Sequence, residues 1–69
     1  MIKVYAFDYR PTGEDDILTA NQEITITQRQ YNSLERMDAL FAKLRTEGMI
    51  EVWVFIDGEY DSCYDLATP

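Results

Sequence analysis

One stretch of the chain carries apolar residues at helical spacing, and strand-like patterns lie on both sides of it. Thr27 followed by Gln30 matches a capping box at the start of a helix. Gly48 supplies the left-handed residue that often follows the end of one. The apolar positions between them recur three and four residues apart, at Tyr31, Leu34, Met37, Leu40, Phe41 and Leu44. The pattern predicts a single helix between Thr27 and Gly48.

Two strand patterns precede this helix and two follow it. They are rich in β-branched and aromatic residues, and they cover residues 2–9, 23–27, 49–56 and 59–66. Strands that are neighbours in sequence most simply pair antiparallel. The predicted fold class is therefore α+β in the order ββαββ, a four-stranded antiparallel sheet with one helix packed on one face. A chain of 69 residues is expected to form a single domain, residues 1–69.

The last two strands are joined at Asp57-Gly58, which is the strongest hairpin signal in the chain. A two-residue turn there would pair Val54 with Asp61 and bring carboxylates to the core side of the sheet. Burying an unpaired carboxylate costs on the order of several kcal/mol. A three-residue loop with Gly58 as the bulge residue shifts the pairing by one, so that Val54 meets Tyr60. We therefore predict the three-residue loop.

That register predicts an acidic surface on the sheet face away from the helix. It places carboxylates beside two large aromatic side chains, in the set Glu51, Trp53, Phe55, Glu59, Asp61 and Asp65. Alternate residues of a strand lie about 6.8 Å apart, a spacing comparable to that of successive phosphates on a nucleic-acid strand. An exposed acidic loop adds three more carboxylates, at Glu14, Asp15 and Asp16. These nine residues are the predicted partner-binding site.

The charge balance sets the class of partner. Thirteen carboxylates oppose six basic side chains, there is no histidine, and the formal net charge is -7. Such a field repels nucleic acid and anionic lipid and attracts basic protein surfaces. We expect no direct binding of nucleic acid and no membrane partner. The absence of a long apolar run and the strand-like amino terminus predict a cytoplasmic protein.

The residue types argue against catalysis. Without histidine, a glycine-rich phosphate loop or a nucleophile elbow, the chain is not expected to be an enzyme. The acidic segments lack the spacing of a calcium loop, so neither a metal nor a cofactor is expected. Cys63 is the single cysteine and cannot form a disulfide within the chain. It is expected to be a small strand residue in a reducing compartment. The alternatives are intermolecular pairing and use as a nucleophile, for which no histidine is present to activate it.

Several features also have a purely structural interpretation. The acidic face could be a solvated surface that protects an edge strand from aggregation. Trp53 and Phe55 could be covered by Ile17-Leu18 and form a second small core. The five tyrosines could be half-buried members of a small sheet.

In size, charge, ββαββ order and acidic segments such as Glu14-Asp15-Asp16 and Glu59-Tyr60-Asp61, the chain resembles small acidic anti-defence proteins encoded by phages. These include anti-CRISPR proteins that mimic DNA. The resemblance covers the whole chain loosely and matches no diagnostic motif, so it assigns no residue. It implies a protein partner with a basic nucleic-acid-binding surface, such as a CRISPR-Cas effector complex in the host bacterial cytoplasm. Inhibition would occur by competition for that surface.

The alternative function is a plain protein–protein interaction or assembly module. It would dock through the aromatic residues Trp53 and Phe55 or through an open strand edge, and pairing of two edges would give a homodimer. The expected state is a monomer or a weak dimer. Salt distinguishes the two functions, because binding through charge weakens as salt rises and binding through apolar area does not.

Overall fold

The strand and helix patterns form one sheet and two consecutive helices in the computed structural model, which describes residues 1–67. The elements in chain order are β1 (Ile2–Phe7), a 3₁₀ helix (Glu14–Thr19), β2 (Gln22–Ile26), α1 (Gln28–Tyr31), α2 (Leu34–Thr46), β3 (Glu51–Ile56) and β4 (Glu59–Asp65). The predicted α+β fold with a four-stranded antiparallel sheet is confirmed.

The strand order is β2-β1-β3-β4, and every neighbouring pair is antiparallel. β1 lies inside the sheet between β2 and β3, and each of its residues is buried or half-buried. Val4 shows the arrangement, because it lies opposite Ile24 on one side and Val54 on the other. β2 and β4 are the two edges of the sheet in the part of the chain that the structure describes.

The core lies between one face of the sheet and the helices. Alternate residues of each strand point toward it, as the period of two requires. Its buried members are Ile2, Val4, Ala6, Ile26, Met37, Leu44, Met49, Val52, Val54 and Leu66. Leu44 of α2 has no exposed area, and its side chain packs in the core against the sheet.

The predicted helix is present, and it is interrupted after one turn, because α1 ends at Tyr31 and α2 begins at Leu34. The capping box is present as predicted, because the Thr27 side chain accepts from the Gln30 backbone and the Gln30 side chain accepts from the Thr27 backbone. The chain then leaves helical geometry, and the Ser33 hydroxyl caps α2 by accepting from the Arg36 backbone. The break resets the helical phase, and Leu34 is 83% exposed instead of lying in the apolar stripe.

The terminal hairpin has a two-residue turn, so the predicted three-residue loop was wrong. Asp57 and Gly58 have φ values of 51° and 85°, which is the geometry of a type I′ turn. Ile56 therefore lies opposite Glu59. A β-bulge still occurs, but it lies further along the strand, between the pairs that Val54 and Phe55 make.

The bulge takes one of the three hairpin carboxylates off the core side of the sheet, because it places Asp65 opposite Glu51. Phe55 lies opposite Tyr60 and Val54 lies opposite Ser62, so Asp61 is the extra residue of β4. Beyond the bulge the core side of β4 presents Ser62 and Tyr64. The two-residue turn is kept, and the bulge shifts the pairing of β4 with β3 by one residue from Ser62 onward.

Among the described residues, no helix is both long and apolar enough to span a bilayer.

Candidate functional site

Six aromatic rings form a continuous array on the sheet face away from the helices, which we call the aromatic face. Its members are Tyr5, Phe7, Tyr9, Trp53, Phe55 and Tyr60. Neighbouring ring centroids lie 5.4 to 5.9 Å apart, and the rings meet edge to face. Such contacts contribute about 0.5 to 1.5 kcal/mol per pair beyond the area they bury. The array ties β1, β3 and β4 together from the side opposite the main core.

The interior of the aromatic face is buried, which corrects the prediction that its large aromatics form open contact area. Phe7 is 0% exposed and Phe55 is 4% exposed, while Trp53 is half-buried. The more exposed members are at the margin, with Tyr9 at 37% and Tyr60 at 45%. The rings therefore make a second small core. Leu18 does not cover it, since that side chain is 85% exposed.

Two of the predicted acidic residues lie on the aromatic face, and both share one cation. The Arg10 guanidinium is 3.1 Å from a carboxylate oxygen of Glu51 and 3.1 Å from one of Asp65. Glu51 also accepts a hydrogen bond from the Trp53 indole nitrogen at 2.6 Å, and only 15% of its side chain is exposed. These carboxylates raise the pKa of Arg10 through their hydrogen bonds. No local pattern indicates this contact, because Arg10 and Glu51 are 41 residues apart.

The other two hairpin acids do not join that face, so the predicted row of four carboxylates is wrong. Glu59 lies opposite Ile56 and shares the helix side of the sheet with it. Asp61 is the bulged residue, and its carboxylate accepts a hydrogen bond from the Tyr31 hydroxyl on that same side. The reason is the tight turn, because the one-residue offset that would have carried Glu59 across is absent.

Tyr31 is the centre of a polar network between α1 and β4. Its hydroxyl is 2.7 Å from Asp61 and 3.1 Å from the Ser62 hydroxyl, and Ser62 also lies 3.4 Å from the Tyr64 hydroxyl. Burial raises the pKa of Tyr31 above its ordinary value, and the hydrogen bond to Asp61 raises that pKa further. The partner of Asp61 in this network is therefore a phenol hydroxyl and not a cation.

The predicted acidic loop is the beginning of the 3₁₀ helix. Asp16 is half-buried and accepts from the Thr12 backbone nitrogen at 2.7 Å, so it stabilises the turn before the helix. Glu14 and Asp15 are exposed. Of the three, Glu14 and Asp15 have the access that a binding role requires.

A groove runs between α2 and β4 on the helix side of the sheet. It has a volume of about 380 Å³ and is lined by the apolar side chains Leu34, Met37, Phe41, Tyr64 and Leu66. The rings of Phe41 and Tyr64 pack in its wall, 5.2 Å apart. Asp38, Asp65 and Arg45 supply charge at its border. The sequence pattern did not predict this groove, because the helical spacing of its exposed lining residue Leu34 indicated burial in the apolar stripe.

Most acidic residues lie outside the part of the chain that forms the helices α1 and α2. Residues 28–46 carry four basic and two acidic side chains, a net charge of +2, and the rest of the chain carries -9. Four of the thirteen carboxylates have an ion-pair partner within residues 1–67, namely Glu23, Glu51, Asp57 and Asp65. The other nine have no cation within 4.0 Å in that part of the chain. Most of the negative charge is therefore uncompensated by local contacts.

The described residues contain no group of three or more cysteine, aspartate or glutamate side chains arranged to hold a metal ion. Cys63 is free and exposed on β4, where it lies opposite Trp53. The Cys63 thiol also lies close to Tyr60 of the aromatic face. A hydrogen bond with this thiol is the largest of the effects that raise the pKa of Tyr60.

No protein-family model, no curated protein and no solved structure matches this chain. A functional proposal therefore depends on the charge distribution and the surfaces described above.

Proposed function

We propose that this chain is a small acidic inhibitor that occupies a basic, nucleic-acid-binding surface on a larger protein and excludes the nucleic acid by competition. The proposed target class includes CRISPR-Cas effector complexes, and the proposed location is the bacterial cytoplasm. The observation that carries the proposal is the charge of -9 outside residues 28–46. A field of that sign on a body this small favours rapid association with cationic surfaces.

The exposed carboxylates that support this proposal are those without a local cation. Glu14 and Asp15 project from the 3₁₀ helix, and Glu59 lies beside the hairpin turn. Each can meet a lysine or arginine of a partner without first breaking an internal ion pair. Glu51 and Asp65 contribute less, since Arg10 already lies against both. The proposal therefore rests on a diffuse acidic surface and does not require a row spaced like phosphates.

A second candidate, an interaction module that docks through apolar area and a strand edge, is favoured by the groove beside β4. Leu34 and Tyr64 expose 83% and 38% of their area there. Exposed apolar side chains around a concave surface often mark a partner site. This function predicts binding that tolerates salt.

The test is capture from bacterial lysate on the immobilised chain, followed by competition measurements with each purified captured protein. For the proposed inhibitor, affinity should fall steeply between about 50 and about 500 mM salt, and nucleic acid should displace the chain. Binding that persists at high salt and is indifferent to nucleic acid supports the interaction module instead and rejects the inhibitor.

A matched pair of variants tests which carboxylates contact the captured protein. E14Q/D15N removes two charges from the acidic surface, and E35Q/D38N removes two from the helical segment, residues 28–46. All four residues are exposed. The inhibitor proposal expects E14Q/D15N to weaken binding more than the control does. Equal effects of the two variants would show that total charge alone controls binding and that the surface we assign is not the contact.

A further inference from the structure

One exposed side of α2 carries two opposite charges two helical turns apart. Asp38 and Arg45 are both exposed, and both border the groove beside β4. Their separation of seven residues, about 10.5 Å along the axis, puts the two side chains on the same side of the helix. Neither belongs to an ion pair within residues 1–67. We call this side, with Asp38, Phe41, Ala42 and Arg45, the α2 face.

The α2 face is complementary to a second copy of itself. In a two-fold symmetric dimer, a residue i that contacts residue j of the other copy is matched by a contact of j with i. Let two copies of α2 run antiparallel around an axis between Phe41 and Ala42. Asp38 of each copy then lies opposite Arg45 of the other, and two identical ion pairs form. Phe41 of each copy lies opposite Ala42 of the other, so a large side chain meets a small one at the axis.

Apolar side chains beside these charges supply area that a dimer would bury. Phe41 is half-buried, and its ring centroid lies 5.2 Å from that of Tyr64. Leu34 and Tyr64 line the same groove and expose 83% and 38% of their area. Exposed ion pairs by themselves contribute little to stability, whereas burial of apolar area is favourable. The apolar contact therefore supplies the attraction, and the charges select the antiparallel orientation.

The distribution of charge over the chain favours contact through the helices. Each copy carries a net charge of -7, so most approaches of two copies bring acidic surfaces together. Residues 28–46 carry +2 and the rest of the chain carries -9. Contact through α2 keeps the acidic parts of the two copies apart, and a Debye length of about 8 Å at physiological ionic strength screens their repulsion.

We propose that this chain forms a weak two-fold symmetric dimer in which the α2 faces of two copies pack antiparallel and exchange ion pairs between Asp38 and Arg45. α2 has 13 residues and is therefore about 20 Å long. A contact along one helix of this length is smaller than the roughly 800 Å² per partner that stable complexes bury. The expected dissociation constant is in the range of about 10 to about 500 μM. The dimer does not depend on the proposed function, because Glu14 and Asp15 lie on another element.

Sedimentation equilibrium of the full chain tests whether the dimer exists. The mass is measured at physiological ionic strength over concentrations from about 10 μM to about 1 mM, which span the expected dissociation constant. We expect the average mass to rise with concentration from 8.1 kDa toward twice that value.

Charge reversal on the α2 face tests how the copies meet. Asp38→Arg and Arg45→Asp each place like charges opposite one another, and each should weaken dimerisation about tenfold or more. Glu14→Arg and Arg36→Asp are the controls, because they change the net charge by the same amounts at exposed positions. Glu14 lies outside α2, and Arg36 lies on the side of α2 away from Asp38, since two residues along a helix are about 200° apart. The controls should weaken dimerisation much less.

Two rescue experiments test the symmetry of the contact. The D38R chain carries two guanidinium groups on its α2 face, and the R45D chain carries two carboxylates there. An equimolar mixture of the two should form a heterodimer at least as tight as the parent dimer, because every pair across the axis then joins opposite charges. The double variant D38R/R45D exchanges the two residues and should dimerise like the parent.

A mass of one chain at about 1 mM would overturn the proposal, since the affinity would then be below the expected range. Charge reversals that weaken the dimer no more than the controls do would also overturn it, because another surface such as a strand edge would then hold the copies together. Circular dichroism identifies any variant that does not fold. If a single variant is unfolded, the double variant decides, and a folded double variant that stays monomeric overturns the proposal. The proposed inhibitor is unaffected by these outcomes, because its own test is competition with nucleic acid.

Discussion

The Tyr31 hydroxyl donates a hydrogen bond to the Asp61 carboxylate at 2.7 Å, and this contact joins the end of α1 to the bulge of β4. It brings together residues 30 positions apart. The bond holds the bulged residue on the helix side of the sheet. It thereby keeps one carboxylate away from the aromatic face and places it beside the groove.

Replacing Tyr31 with phenylalanine should lower the free energy of unfolding by about 1 kcal/mol, the usual net contribution of such a hydrogen bond. It should also flatten the decline of stability at alkaline pH. The pKa of Tyr31 is raised above its ordinary value of 10.0, so the unfolded chain loses this proton first. The contribution of the Tyr31 hydroxyl to the free energy of unfolding is fully present below pH 10. It is lost as the pH rises toward the raised pKa of Tyr31.

Urea unfolding of both proteins at neutral and alkaline pH checks this prediction. The control is Tyr9→Phe, because the Tyr9 hydroxyl bonds to the Thr19 hydroxyl and to no carboxylate that the structure describes. A Tyr31→Phe protein whose stability declines with pH as steeply as that of the parent would contradict it.

Leu44→Ala should destabilise the fold by about 2 to 5 kcal/mol, the range for removing a buried leucine side chain. Leu44 has 0% exposure and lies in the core between α2 and the sheet. Leu34→Ala, on the same helix, should change stability by less than about 0.5 kcal/mol because that side chain is exposed. Similar losses for the two variants in chemical denaturation would show that Leu34 packs in the core after all.

Gly58→Ala should cost about 1 to 2 kcal/mol because the residue has a left-handed backbone with φ of 85°. An added Cβ at Gly58 or at Gly13 would meet no atom within 4 Å, so a steric clash does not oppose either substitution. Gly13 has an extended backbone with φ of -161°, and Gly13→Ala should alter stability by less than about 0.5 kcal/mol. Thermal unfolding compares them, and equal midpoints would argue against the type I′ turn.

Arg10→Gln should produce a small loss of stability at low salt that shrinks as salt is added. Its guanidinium lies against Glu51 and Asp65 at the surface, where ions in solution screen the attraction. Trp53 fluorescence should change as well, because Glu51 accepts its indole N–H. Arg29→Gln is the control, since Arg29 forms no ion pair within residues 1–67. An effect that grows with salt, or an equal effect of the control, would contradict this role.

The candidate site was harder to predict than the fold, and Phe55 shows why. Its alternation in β3 correctly placed it on the face away from the helices, and period alone cannot say whether that face is open. It is 4% exposed, and the rings of Tyr5 and Tyr60, which are distant or separate in sequence, pack against it. Leu34 shows the opposite case, since its helical spacing suggested burial and the break before Ser33 exposed it.

What the sequence determined by itself was local: the strand and helix segments, the Thr27 capping box, the left-handed glycines at Gly48 and Gly58, and the excess of carboxylates. Each follows from side-chain period, backbone preference or composition within a few residues. The tertiary structure alone decided the bulge at Asp61, the contact of Arg10 with Glu51 and the groove beside β4. Each of these features depends on contacts between residues that are far apart in the sequence. A local sequence pattern cannot indicate which of those residues meet in the folded chain.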